Sequence, residues 1–211
     1  MQTLVTRFHL LLLTVTLAIS GVGALRIPDD FIYLAHWSGN TADWLWPRET
    51  IFVAPVAQLL LMATFFLLGR LLTKNHYAKS QHILDPALTA LMSVVAATQL
   101  GLLLAGIGSD LDFIRVTAFA LGVVLVVLGI ILFEAERHTY AGLRMPWPLR
   151  SDRAWRIVHR VTGLAYGLAG LALLALAWFD TGLATRVLGF AAALLLPALV
   201  AGLATLLFDR S

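Results

Sequence analysis

The side chains with the widest chemical range in this sequence are six histidines, His9, His36, His76, His82, His138 and His159. A b-type haem inside a membrane needs two histidines facing each other from different helices. His9 and His159 come nearest to that, each at a helix end on the same side, although helix-end histidines also serve as ordinary interfacial groups. His76 and His82 stand six apart in a basic stretch, without the i, i+4 spacing or the partners of a metal site. Cysteine is absent, which excludes disulfides, zinc-thiolate and iron-sulfur centres and a thiol nucleophile. There is no glycine-rich phosphate loop, no serine nucleophile elbow and no HExxH run. The residues thus point to a protein that is not an enzyme and carries neither metal nor cofactor.

The elements that hold these side chains follow from composition. Of 211 residues, 60% are apolar and 13% charged, whereas about a quarter of a soluble domain is charged. Apolar runs at 4–25, 51–72, 86–107, 116–133, 161–179 and 187–208 each reach the roughly 20 residues of a membrane crossing. The expected fold is all-α: one polytopic transmembrane domain over 1–211 with about six helices, an outer loop at 26–50 and a basic inner loop at 134–160. The first run is longer than the roughly 7 to 15 apolar residues of a signal peptide and reads as an uncleaved span. Asp85-Pro86 reads as an N-cap and first-turn proline opening the third helix. Pro55 and Pro197 fall inside helices and predict kinks.

Charge sets the orientation. With a cytoplasmic N-terminus, eleven Lys/Arg lie inside (Arg7, Arg70, Lys74, Lys79, Arg137, Arg144, Arg150, Arg153, Arg156, Arg160 and Arg210) and four outside (Arg26, Arg48, Arg115 and Arg186). The positive-inside bias therefore places both termini in the cytoplasm. The outer loops also carry Asp29, Asp30, Asp43, Glu49, Asp110, Asp112 and Asp180, a mildly acidic face that would attract a cationic partner or is simply what polar loops leave there.

No span has a Lys, Asp or Glu near its middle, where proton pumps and ion-coupled transporters usually keep one. The deep polar groups are Gln58 and Gln99, with Thr64, Ser93 and Thr98 nearby. They read first as interhelical hydrogen-bond donors and second as the lining of a substrate path. Gly163, Gly167 and Gly170 permit close helix approach, within the chain or between two copies.

Two loops carry more than connection requires. The outer one holds His36, Trp37, Asp43, Trp44, Trp46, Arg48 and Glu49. The tryptophans alone suit an interfacial belt; mixed with polar groups they also suit a binding surface that combines stacking, hydrogen bonds and charge. In the inner loop, prolines argue for an extended stretch, after which Ser151 and Asp152 read as the N-cap and first turn of a helix leading into the fifth crossing. On that helix Arg153, Arg156 and Arg160 fall within about 60° of one another, opposite Trp155, Val158 and His159. The arginines would meet anionic lipid headgroups or an acidic patch on a cytosolic protein.

The inner run resembles the signature of the SdpI family of bacterial membrane immunity proteins, roughly G-I-R-T-P-W-T-L followed by W-x-x-x-H-R-x-x-G. Gly142, Arg144, Pro146, Trp147, Leu149, Trp155, His159, Arg160 and Gly163 stand at the matching positions, with Met145 and Pro148 replacing two threonines. The outer loop is similar to a second family segment through His36, Trp37, Asp43 and Pro55. It departs in a His-to-Asp gap one residue short and in Ala35 before the histidine; His138 stands where the family commonly has asparagine. The likeness spans roughly residues 26 to 170, with the first and last helices alike only as apolar spans.

This resemblance implies a multi-pass protein of the bacterial cytoplasmic (inner) membrane that protects the cell from a secreted hydrophobic or amphipathic toxin peptide. Some members of that family also signal, which would imply here a cytosolic winged-helix repressor held at the membrane. On this reading His36, Trp37, Asp43, Trp44 and Trp46 engage the toxin, and Gly142, Arg144, Pro146, Trp147, Trp155, His159 and Arg160 form the cytoplasmic partner motif. Membrane lipid is a further partner, and nucleic acid is not contacted directly. The alternative is a small-molecule carrier, or a cofactor-holding or scaffold subunit of a membrane complex, with Gln58 and Gln99 along the path.

Overall fold

A computed structural model describes residues 3–38, 41–135, 151–179 and 181–208. Its helices are α1 (Arg7–Arg26), α2 (Val53–Leu71), α3 (Lys74–Gly106), α4 (Phe113–Phe133), α5 (Asp152–Trp178) and α6 (Leu183–Phe208). Between α1 and α2 come two strands, β1 (Ile32–Ser38) and β2 (Thr41–Pro47), and a 3-10 turn, Arg48–Phe52. Among the described residues, six helical segments are long and apolar enough to cross a membrane, as expected. Their exposed surface is dominated by Leu, Val, Ile and Phe, which is the surface that faces lipid when the solvent is a bilayer.

Three expectations are corrected. The third helix does not begin at Asp85-Pro86: α3 starts at Lys74 and runs through Pro86 to Gly106 without a break. Part of what holds its extra turns is tertiary, since the Tyr77 hydroxyl donates to the Thr3 carbonyl at 2.7 Å. Pro55 lies in the first turn of α2, which starts at Val53, rather than deep inside a helix, so the carbonyl its missing N–H leaves without that donor belongs to the preceding 3-10 turn. The outer loop is an antiparallel hairpin. Its pairs run from Ile32↔Pro47 to Ser38↔Thr41, with irregularities between Leu34 and His36 and between His36 and Trp37.

The chain divides into two compact units. The first, Met1–Thr117 with Gly182–Ala184, contains α1, the hairpin, α2 and α3. Among the described residues its core includes Met62, Leu88 and Met92 with flanking Val5, Leu12 and Phe65, and Ile27, Tyr33, Ile51, Leu102 and Leu103 with Ile19, Phe31 and Trp46. At the start of α1, His9 folds back so that its Nδ1 accepts the Thr6 backbone N–H at 3.0 Å. That leaves Nε2 as the protonated nitrogen, which donates to Thr89 Oγ1 at 2.9 Å, with Asp85 Oδ1 at 3.6 Å. This fully buried histidine joins α1 to α3.

The second unit comprises Ala118–Thr181 and Thr185–Ser211. In it α4 and α5 approach through two glycine pairs spaced seven residues apart on each helix. A methyl group on Gly163 would lie 2.6 Å from Gly129 O and from Phe133 N, and one on Gly170 would lie 2.6 Å from Gly122 O. Glycine is needed here because backbone stands where a Cβ would go. The small-residue pattern of α5 thus serves packing within the chain.

Candidate functional site

In the hairpin, alternation of side chains places Tyr33 and Ala35 inward, where both are buried, and Ile32 and Leu34 outward, where both are exposed. The cross-strand partners agree. Tyr33 pairs with Trp46, and Leu34 with Leu45; Trp46 packs on the Ile27, Tyr33 and Leu102 cluster, while Leu45 is 51% exposed. Trp44, 46% exposed, extends the inward row beyond that cluster and meets Trp46 edge to face, ring centroids 5.9 Å apart. The strands place His36 opposite Trp44 and Trp37 opposite Ala42. The side chains of residues 36–43, His36, Trp37 and Asp43 among them, lie outside those described.

The hairpin is fastened at its base and its middle. Arg48 donates to the Ala24 carbonyl at the end of α1 and pairs with Asp29. The Tyr33 hydroxyl donates to the Leu102 carbonyl at 3.1 Å, and burial pushes the phenol up to about 12. The result is an aromatic and aliphatic surface held rigidly at one end of α1, α2 and α3. Sequence expectation placed the tryptophans there but not Tyr33, Leu34 or Leu45, because β1 is apolar on both faces and hides its alternation.

Below the hairpin a polar node joins three elements. Proline at 55 has no N–H to give the carbonyl four residues earlier, which belongs to Ile51. That carbonyl accepts instead from Gln99 Nε2 at 2.8 Å and from Ser20 Oγ at 3.2 Å, and Gln99 Nε2 also donates to Ser20 Oγ at 2.8 Å. Gln58 Nε2 donates to the Met92 carbonyl at 2.9 Å. Both glutamines are fully buried and their amide nitrogens bind one element to the next, the first of the two roles expected of them, while both amide oxygens are buried without a hydrogen bond.

In the second unit, Ser151 caps α5 as expected, its Oγ accepting the Ala154 N–H at 3.1 Å. Trp155 stacks on His159 at 4.0 Å between centroids, and its Nε1 points to the Ala135 carbonyl at 3.4 Å. The bond between His159 Nδ1 and the Trp155 carbonyl, 2.9 Å long, requires the imidazole to donate. Val158 and His159 are buried, while Arg153, Arg156 and Arg160 are exposed. Gly142, Arg144, Pro146 and Trp147 of the same motif lie outside the described residues, as does His138. His9 and His159 belong to different units, each with hydrogen-bonding work of its own. Among the described residues no three of His, Cys, Asp and Glu are grouped to hold a metal ion.

Comparison with known proteins places a family match on the second half of the chain. Residues 134–208 match the SdpI/YfhL protein family, a stretch that begins at the inner loop and continues through α6, further toward the C-terminus than the motif likeness reached. The chain is 26% identical over 145 residues to the immunity protein SdpI of Bacillus subtilis (strain 168), covering 68% of each chain. No solved structure matches.

Proposed function

From this kinship with the SdpI family, we propose that the chain is a non-enzymatic immunity protein of the bacterial cytoplasmic membrane, guarding it against a secreted amphipathic or hydrophobic toxin peptide. The observation that carries the proposal is the hairpin. It presents Leu34 and Leu45 on its outward face and Trp44 at the exposed end of its inward row, and it stands between two spans, where a peptide entering the bilayer would meet it. A rigid aromatic and aliphatic surface next to polar groups is the kind that concentrates binding energy in few residues. His36, Trp37, Asp43, Trp44 and Trp46 are the proposed contacts, on the outer side, with both termini cytoplasmic as the Lys/Arg bias requires.

The inner motif supports a second, finer part. Toxin binding would shift the segment from Arg144 to Arg160, with Gly142, Pro146 and Trp147, and so create a docking surface for a cytosolic repressor. Such coupling requires two states with different affinity for the peptide.

The test is binding of a dye-labelled pore-forming peptide to the full chain in nanodiscs. His36→Ala, Trp37→Ala and Trp44→Ala are each expected to weaken binding about tenfold, the loss typical of a central interface residue. Unchanged binding in all three, with the variants folded, contradicts the assignment of the site.

A further inference from the structure

The exposed face of α5 changes character along its length. Taking 100° per residue, Arg153, Arg156, Leu164, Leu171 and Trp178 all fall within about 40° of Arg160. Every one of these is exposed, Trp178 at 76%. Ala154, Val158, Thr162 and Leu173, about 120° or more away, are buried, and Gly163 and Gly170, about 60° and 80° to one side, are buried against α4. One stripe therefore begins with three guanidinium groups, continues in leucine and ends in tryptophan, on a single helix from Asp152 to Trp178.

The spacing fits a bilayer. From Arg160 to Trp178 the helix rises about 27 Å at 1.5 Å per residue, close to the roughly 30 Å of a hydrocarbon core. The leucines of the stripe occupy that interval, and tryptophan at its end is an interfacial residue. Arg160 thus lies at headgroup depth, with Arg156 and Arg153 one and two turns further out, on a face continuous with lipid-facing surface. Its guanidinium sits 5.6 Å from the centre of the Phe133 ring on α4, a contact that steadies a cation at an apolar boundary.

We infer that Arg153, Arg156 and Arg160 form a site for anionic phospholipid headgroups, in the leaflet at the N-terminal end of α5. A phosphate there meets a row of guanidinium groups able to donate paired hydrogen bonds. The occupant is lipid because the leucines below the arginines place acyl chains directly beneath the headgroup, which a soluble acidic protein does not supply. Asp152, one turn before Arg156, offsets part of the positive charge, so the preference for anionic over zwitterionic lipid is on the order of tenfold. The site forms without toxin, although the proposed toxin-driven shift of the segment from Arg144 to Arg160 would move its arginines.

The experiment reconstitutes the full chain in vesicles of phosphatidylcholine with or without phosphatidylglycerol. It reads, from spin-labelled phosphatidylglycerol, the fraction of lipid held at the protein surface. The parent and a triple Arg→Lys variant at 153, 156 and 160 are expected to enrich the anionic lipid. The triple Arg→Gln variant, checked for parental helicity, is expected to lose about tenfold of that preference, and Arg26→Gln, outside the stripe, to keep it. Undiminished preference in a folded triple Gln variant overturns the proposal. So does displacement of the lipid by soluble glycerophosphate, which would make the ligand a free anion, or by an acidic cytosolic peptide, which would make it a protein.

Discussion

Gln99 and Pro55 are predicted to be energetically coupled through a carbonyl that belongs to neither. Pro55 deprives Ile51 O of its helical donor, and Gln99 Nε2 supplies one at 2.8 Å. Replacing Gln99 by leucine leaves that oxygen with Ser20 Oγ at 3.2 Å, whose single proton is shared with Thr16 O at 3.0 Å. Pro55→Ala returns an N–H to the position from which Ile51 O is reached. The substitution is nearly redundant in the parent and restorative in Gln99→Leu. The double-mutant cycle should therefore give a coupling of about 0.6 to 1.7 kcal/mol, the range of interhelical hydrogen bonds in membranes. Effects of proline on the unfolded chain, and of removing the Gln99 Oε1 atom, cancel in the cycle. Reversible unfolding of the four proteins in mixed micelles, followed by helical circular dichroism, measures it. Additivity to within about 0.3 kcal/mol, the behaviour of independent sites, would refute the carbonyl-sharing argument.

Other consequences are more local. Gly163→Ala forces a methyl group to 2.6 Å from backbone atoms of α4 and should destabilise the second unit by about 1 to 3 kcal/mol. Gly167→Ala meets nothing within 4 Å and should be neutral or raise stability by up to about 1 kcal/mol; thermal unfolding of the two variants distinguishes them. Ser151→Ala removes the α5 cap and should cost about 1 kcal/mol in the same assay. The phenol of Tyr33 is raised by burial from 10.0 to about 12, so the folded state binds its proton more tightly than the unfolded one. Its stabilising contribution is complete below pH 10 and lost as pH rises toward 12. Near-ultraviolet circular dichroism of the hairpin aromatics should show this alkaline loss in the parent, and less of it in Tyr33→Phe.

The six crossings were legible because length and apolarity alone define a span. The start of α5 was legible because a serine followed by an aspartate has one strong local meaning. Asp85-Pro86 misled for the same reason: the local signal for a helix start is real, but contacts such as Tyr77 with Thr3 carry α3 past it. The hairpin was hidden although Gly39-Asn40 separates two strand-like runs, a recognised turn signal. Tyr33 and Ala35 alternate with Ile32 and Leu34, so both faces are apolar and the usual polar alternation is missing. The role of Pro55 could not be read from its own neighbourhood, since its meaning depends on Gln99 and Ser20 from other helices.

The central claim is protection of a membrane. Sensitive bacteria expressing the full chain, challenged with a panel of secreted pore-forming peptides, are read for retention of membrane potential by a voltage-sensitive dye. The account predicts that expressing cells keep their potential against at least one amphipathic peptide that depolarises cells lacking the chain. Equal depolarisation in both across the panel, with the protein verified in the membrane, would contradict it.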